Sequence, residues 1–179
     1  MDKQYDITIL NGTGTANVFD GQYAVSANVV GYNNTSINPS ELNIVDGTNE
    51  YGLTISADGT LTLHVTETGE TTGTAVVGAK FIRCDSEGNE YGSEITTDLS
   101  GNAVFQYVPY AASGAPLIYY KQTSSDDSHL FDGTLQSISL EESTKTKEVT
   151  NPLPALRTFT LTDANYEGLS IVSGTITLS

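Results

Sequence analysis

Between Gly59 and Asn151 apolar and polar side chains alternate almost one by one, interrupted only by runs rich in Gly, Asp, Asn and other small or polar residues. A period of two puts neighbouring side chains on opposite faces of an extended backbone, so each run reads as a half-buried strand and each Asp/Gly/Asn cluster as a turn. Leu61, Leu63 and Val65 share one face, opposite Thr60, Thr62, His64 and Thr66. The same pattern predicts strands over 76–84, 94–97, 103–108, 117–122, 134–140 and 146–150, with a tight turn at Asp85-Ser86-Glu87-Gly88-Asn89. Residues 117–122 are apolar on both faces, as a central strand requires. No run carries a helical period, so the block reads as a sandwich of antiparallel sheets.

The flanks are written in the same way. Residues 6–10 alternate and predict a first strand, followed by a turn at Asn11-Gly12. Tyr23, Val25, Ala27 and Val29 form an alternating set that closes at Gly31-Tyr32. Residues 33–39 read as a polar loop, and 41–45 with 51–56 as a hairpin. Beyond Pro152-Leu153-Pro154, strand patterns recur at 158–162 and 175–178. The reading is three parts: a small sandwich over 1–58, a larger one over 59–152, and a two-strand tail over 153–179. Two strands bury too little to stand alone, so the tail is expected to dock on the first module or on a neighbouring subunit.

The tail also echoes an earlier passage. Asp163-Ala164-Asn165-Tyr166-Glu167-Gly168-Leu169-Ser170-Ile171 and Gly174-Thr175-Ile176-Thr177-Leu178 parallel Asp46 to Leu63, with Asn49-Glu50-Tyr51-Gly52-Leu53-Thr54-Ile55 and Gly59-Thr60-Leu61-Thr62-Leu63 as the matching pieces. Such an echo points to duplicated modules.

A chain of 179 residues can bury roughly 70 % of its unfolded surface, so neither disulfides nor metals are needed for stability. Its one cysteine, Cys84, lies in an apolar run and reads as an inert buried thiol. Seven Lys and Arg against 22 Asp and Glu give a net charge of −15. That balance cannot assemble a basic groove for phosphates, which excludes nucleic acid as a partner class. No apolar run approaches the ~18 residues of a membrane-spanning helix, so no membrane partner is expected. No leader follows Met1, so for a complete gene product export by the usual secretory route is not expected, which suits a chain made in a host cytoplasm.

The block 61–151 resembles the prealbumin-like Cna-B/SpaA modules of Gram-positive surface proteins and pilins. The resemblance rests on the strand Leu61–Thr66, on Gly78-Ala79-Lys80-Phe81, on Thr97-Asp98-Leu99-Ser100-Gly101-Asn102, on Tyr119-Tyr120-Lys121-Gln122-Thr123 and on the closing Asn151. A looser likeness covers Gly21-Gln22-Tyr23-Ala24-Val25 and Gly31-Tyr32. It implies an all-β fold of tandem Ig-like, prealbumin-like sandwiches. Many such modules carry a Lys–Asn cross-link made with help from a buried acid. Here 61–66 contains no lysine, and Gln122 stands where the acid is expected. A neutral amide cannot shuttle the proton, so no cross-link is expected.

Candidate chemistry is sparse. His64 and His129 have no second His or Cys at metal-ligand spacing, and no Gly-x-Ser-x-Gly elbow is present. Asp85–Glu90 and Asp126-Asp127 could offer oxygen ligands to a hard cation, but turn chemistry explains both. The expectation is no catalytic residue, no metal and no cofactor. Tyrosine is the enriched aromatic, with ten Tyr, five Phe and no Trp. Tyr107, Tyr110, Tyr119 and Tyr120 cluster around the loop 109–116 and are the candidate binding surface, since tyrosine pairs an apolar face with a hydroxyl. The reading is a non-enzymatic structural or adhesive protein whose partners are other subunits, a capsid, tail or cell-surface scaffold, or host glycans, with a homo-oligomer possible. A phage virion component on the virion surface, a head decoration or tail-associated protein, is placed first. A bacterial surface adhesin or pilin module is the alternative, and a carbohydrate-active or carbohydrate-binding domain the third.

Overall fold

The computed structural model describes residues 3–47, 50–166, 168–171 and 173–178. Every ladder in it is β, and no helix occurs among the described residues. Eleven strands are formed: β1 (Gly21–Ala24), β2 (Asn33–Asn38), β3 (Glu41–Ile44), β4 (Thr54–Ser56), β5 (Gly59–Thr66), β6 (Lys80–Cys84), β7 (Glu90–Thr96), β8 (Asn102–Val108), β9 (Ile118–Ser124), β10 (Gln136–Ile138) and β11 (Thr144–Thr150).

Strands β5 to β11 build the predicted sandwich from a four-stranded sheet, β10-β9-β6-β7, and a three-stranded sheet, β11-β5-β8. Strand β5 shows why. Its alternation buries Leu61, Leu63 and Val65 completely, and they join Phe81, Phe105, Val108, Ile118, Tyr120 and Leu140 in one cluster. The Tyr120 ring lies 6.4 Å from both Phe81 and Phe105, tilted against each, and so links the two sheets. Strand β9 sits between β10 and β6, as its two-sided pattern predicts.

One pairing departs from the expectation of purely antiparallel sheets. Strand β11 runs parallel to β5, from Thr144 beside Thr60 to Thr150 beside Thr66. A parallel partner needs a long crossover, and here the whole of β6 to β10 supplies it.

The turns follow from their side chains. Asp85 accepts from the Glu87 and Asn89 backbone N–H groups and from the Asn89 amide, so its carboxylate is taken up by the turn. These bonds hold its pKa below the usual carboxylate range. Asp98 accepts from the Ser100 and Asn102 N–H groups. Ahead of it Thr97, nearly fully buried, donates to the Val76 carbonyl and accepts from the Ala79 N–H. Thr97 and Asp98 are therefore a hydrogen-bonding device that ties the β7–β8 turn to residues 76–79 ahead of β6.

The first segment differs from its prediction in three ways. Residues 6–9 join no ladder, and Ile7 and Ile9 are exposed. The expected polar loop at 33–38 is strand β2, paired with β4. The expected hairpin of 41–45 with 51–56 does not form, because β3 pairs with β1 and β4 with β2. Short polar strands carry weak register information, so the sequence pattern could not choose among these pairings. The alternation from Tyr23 through Ala27 survives in burial, although the ladder ends at Ala24. In the tail, 158–162 and 175–178 form no named strand, and a single bridge joins Thr162 to Ser170. Of the echo, Asn49 and Glu167 lie outside the described residues.

The first segment meets the sandwich at Gly31. The Gly31 carbonyl accepts from the Tyr110 N–H at 3.1 Å, and its φ of 86° lies in the left-handed region. A Cβ there would sit 2.9 Å from Pro109 and 3.1 Å from Pro116. We predict that Gly31→Ala costs about 1–3 kcal/mol of stability in urea unfolding and lowers protection of the Tyr110 amide. Gly174→Ala, where a Cβ meets nothing within 4 Å, serves as the neutral control. We also predict that Leu63→Ala costs about 2–5 kcal/mol by opening a cavity in the core.

Candidate functional site

The four tyrosines do not form one surface. Along β9, Ile118, Tyr120 and Gln122 face the interior while Tyr119 and Lys121 face outward, so Tyr119 and Tyr120 point in opposite directions. Tyr120 is a core residue, 3% exposed, and burial raises its phenol pKa. Its place in the candidate surface is corrected on that ground. Tyr110 is half-buried, packed against the core cluster and beside Gly59. Tyr119 is half-buried on the outer face of the four-stranded sheet.

Tyr107 is different. Alternation along β8 buries Ala103 and Phe105 and would turn Tyr107 inward as well. A bulge intervenes: Val108 pairs with Gly59 and Gln106 with Thr60, leaving Tyr107 without a partner. Tyr107 takes a left-handed φ of 58°, the phase of the strand flips, and Val108 becomes the buried residue. The ring ends up 70% exposed on the outer side of the three-stranded sheet. Gly59 is what lets the bulge form, because a Cβ there would run into the Val108 carbonyl. A bulky residue in this conformation costs about 1–3 kcal/mol, and such strain concentrates at functional positions.

A second constellation lies at the far end of β5. His129 Nδ1 is 2.7 Å from Asp126 Oδ1, and its Nε2 is 3.3 Å from Glu67 Oε1. The hydrogen bond to Asp126 is the main cause of a His129 pKa above 6.5, and it holds the Asp126 carboxyl below its usual range. Nearby, the Asn151 N–H donates to the Thr66 carbonyl, the Leu130 N–H to the Pro152 carbonyl, and the Asn151 amide to Ser125 Oγ. Together these contacts pin the loop 125–130 over the exit of β11. His64 Nδ1 lies 2.7 Å from Glu148 Oε2, a cross-strand pair at directly opposed positions of β5 and β11. The sequence held no signal for this pair, since it depends on the parallel pairing of strands far apart in the chain. Among the described residues no three His, Cys, Asp or Glu side chains are grouped to hold a metal.

Gln122 and Asn151 are both buried. The Gln122 amide donates to the Ser124 carbonyl at 3.0 Å, and Asn151 Oδ1 is buried without a hydrogen-bond partner. Gln122 also borders an open groove of about 330 Å³ between the sheets, with Phe81, Tyr120, Gln136, Lys147 and Glu148. Cys84 is buried, and burial raises its thiol pKa.

We predict a pH dependence from the His129 clamp. A raised histidine pKa contributes stability that is complete below the unfolded value, near 6.5, and is lost as pH rises through the folded value. A lowered Asp126 pKa contributes stability that is lost only as pH falls through its own folded value. The wild-type melting temperature minus that of His129→Gln should therefore be largest between about pH 4 and 6.5 and shrink toward pH 8.5. We predict, too, that the intact mass equals the sequence value; a chain lighter by one ammonia would reveal a Lys–Asn amide bond.

No protein-family model matches the chain, and no curated protein matches it. Similar solved structures are domains of Gram-positive pilins. The minor pilin of Streptococcus agalactiae is 13% identical over 83% of this chain and 67% of its own, with a TM-score of 0.47. The major pilin subunit of Bacillus cereus is 21% identical over 52% of this chain, with a TM-score of 0.41. The full-length major pilin SpaD of Corynebacterium diphtheriae is 18% identical over 54%, with a TM-score of 0.39. The chain spans 28% of the Bacillus cereus pilin and 30% of SpaD.

Proposed function

We propose that the chain is a non-catalytic adhesive or structural module of a bacterial surface protein or pilus, in which the sandwich is a rigid carrier and Tyr107 is a displayed contact. The carrying observation is Tyr107, a large aromatic ring held at left-handed φ by an edge bulge and left 70% exposed. A strained aromatic on the outer face of a closed sandwich suits recognition of a sugar face or a protein surface.

Two further features support this reading over an enzyme. Between the two sheets the core cluster is packed, and the open groove is confined to the side lined by β11. Asp85, Asp98, Asp126 and Glu141 cap turns or pair with His129 and Lys145, while Glu67, Glu90, Glu94 and Glu148 pair with His129, Lys121, Lys80 and His64. The bacterial-surface setting is supported by where the motif residues fall. Gly78–Phe81 leads into and opens β6, the Thr97–Asn102 turn feeds β8, Tyr119–Thr123 lies within β9, and Asn151 closes β11. All belong to one sandwich, and no feature of the fold favours the virion setting. Its partners on this reading are other subunits or a surface scaffold, with host glycans as a ligand class.

The test is capture of the intact chain by a glycan array and a panel of immobilised extracellular proteins, beside Tyr107→Gly. Glycine adopts the left-handed conformation freely, so the variant should keep its stability or gain up to about 1 kcal/mol while losing capture. Capture unchanged in the variant would overturn the role of Tyr107. Hydrolysis of any arrayed glycan would overturn the non-catalytic reading.

A further inference from the structure

We infer that the tail of one copy adds strands to the first segment of a second copy, joining chains head to tail. The echo between tail and first segment extends upstream of the aspartate at which it begins. Glu41-Leu42-Asn43-Ile44, which precedes Asp46, aligns with Thr158-Phe159-Thr160-Leu161 ahead of Asp163. The tail thus repeats in order the apolar positions of β3, β4 and the start of β5: Phe159 and Leu161 for Leu42 and Ile44, Leu169 and Ile171 for Leu53 and Ile55, Ile176 and Leu178 for Leu61 and Leu63.

The two versions have different fates. Leu61 and Leu63 are fully buried, whereas Ile176 and Leu178 are 49% and 73% exposed, and Phe159, Leu161 and Leu169 are exposed as well. The tail's own backbone bonds close within it, Asp163 to Leu169, Leu169 to Tyr166 and Ile171 to Leu161. Strand-like segments with an unpaired edge and an apolar face are templates for addition to another sheet.

The first segment offers the complementary vacancy. Strand β1 is laddered to β3 and β2 to β4, each in a sheet of two, and a two-stranded sheet is marginal by itself. An open groove of about 400 Å³ lies over the β1–β3 pair, lined by Gln22, Tyr23, Ala24, Glu41, Leu42 and Asn43. Residues 158–161 laid along the edge of β1 that no described strand occupies would set Phe159 and Leu161 beside Leu42 and Tyr23, whose ring already packs on Tyr5.

The polarity of the sandwich selects a second copy as the partner. The first segment attaches at the Gly59 end of β5, where Gly31 meets Tyr110. The tail leaves from the opposite end, where Asn151 bonds to Thr66, because β11 runs parallel to β5. Eight residues of strand put roughly 26 Å between the two ends. Donor and acceptor at opposite poles make a heterologous contact, which propagates as an open chain.

The test is sedimentation velocity and amide hydrogen exchange on the intact chain between about 1 μM and 1 mM, beside the double variant Phe159→Asp/Leu161→Asp. Both side chains are about half exposed in the single chain, so the variant keeps the fold. Wild type should rise to at least twice the single-chain mass, more readily at high salt because the copies each carry −15. Protection at 158–161 should rise at least tenfold over the same range, and the variant should stay at single-chain mass. Three results would overturn the inference: a wild type that stays at single-chain mass, tail protection independent of concentration (the tail covering its own first segment), or equal association of the variant.

Discussion

The structure depends on one strand, β5, being paired on both sides while it buries one whole face. Leu61, Leu63 and Val65 fill the gap between the sheets, β8 takes one edge of the strand and β11 the other. Because β8 and β11 come from distant parts of the sequence, β5 can be satisfied only when the entire block from 59 to 151 is folded. Burial of three aliphatic side chains is worth roughly 1.5–3 kcal/mol each. That makes β5 the element whose loss would unfold the sandwich as a unit rather than strand by strand.

The same strand explains how the outer features are organised. Its Gly59 end admits the Tyr107 bulge and receives the first segment through Gly31, while its Thr66 end receives Asn151 and the His129 clamp. The edges of the sandwich are blunted by ordinary means. Strand β10 has three residues, β8 and the β6–β7 ladder carry bulges, and β11 places Lys145 and Lys147 along its length. In the first segment β4 is equally short and the β2–β4 ladder is irregular, while the β1–β3 ladder runs without a shift in register.

The sandwich was legible because its strands state their buried face in a period of two. Six of its seven strands and the Asp85 and Asp98 turns follow directly from alternation and turn chemistry, with ends shifted by a few residues; β7 begins earlier than its pattern, since 90–93 lie exposed. The parallel β5–β11 pairing was not legible, because pairing partners are set by the tertiary crossover and not by local pattern. Nor was the role of Tyr107: alternation assigns it inward, and only the unpaired position opposite Gly59 and Thr60 turns it out. In the first segment the polar strands β2 and β4 lacked a hydrophobic face to fix their partners, and the residues around them decide the pairing instead.

Stability in this account is concentrated in 59–151 and falls off toward both ends of the chain. Native-state hydrogen exchange on the dilute intact chain measures that distribution most directly. The account predicts that amides of β5, β6, β8 and β9 exchange slowest and at one common free energy, β1 to β4 faster, and 155–178 fastest of all. Amides of β1 to β4 or of the tail exchanging as slowly as those of β5 at low concentration, or β5 opening before β1 to β4, would contradict it.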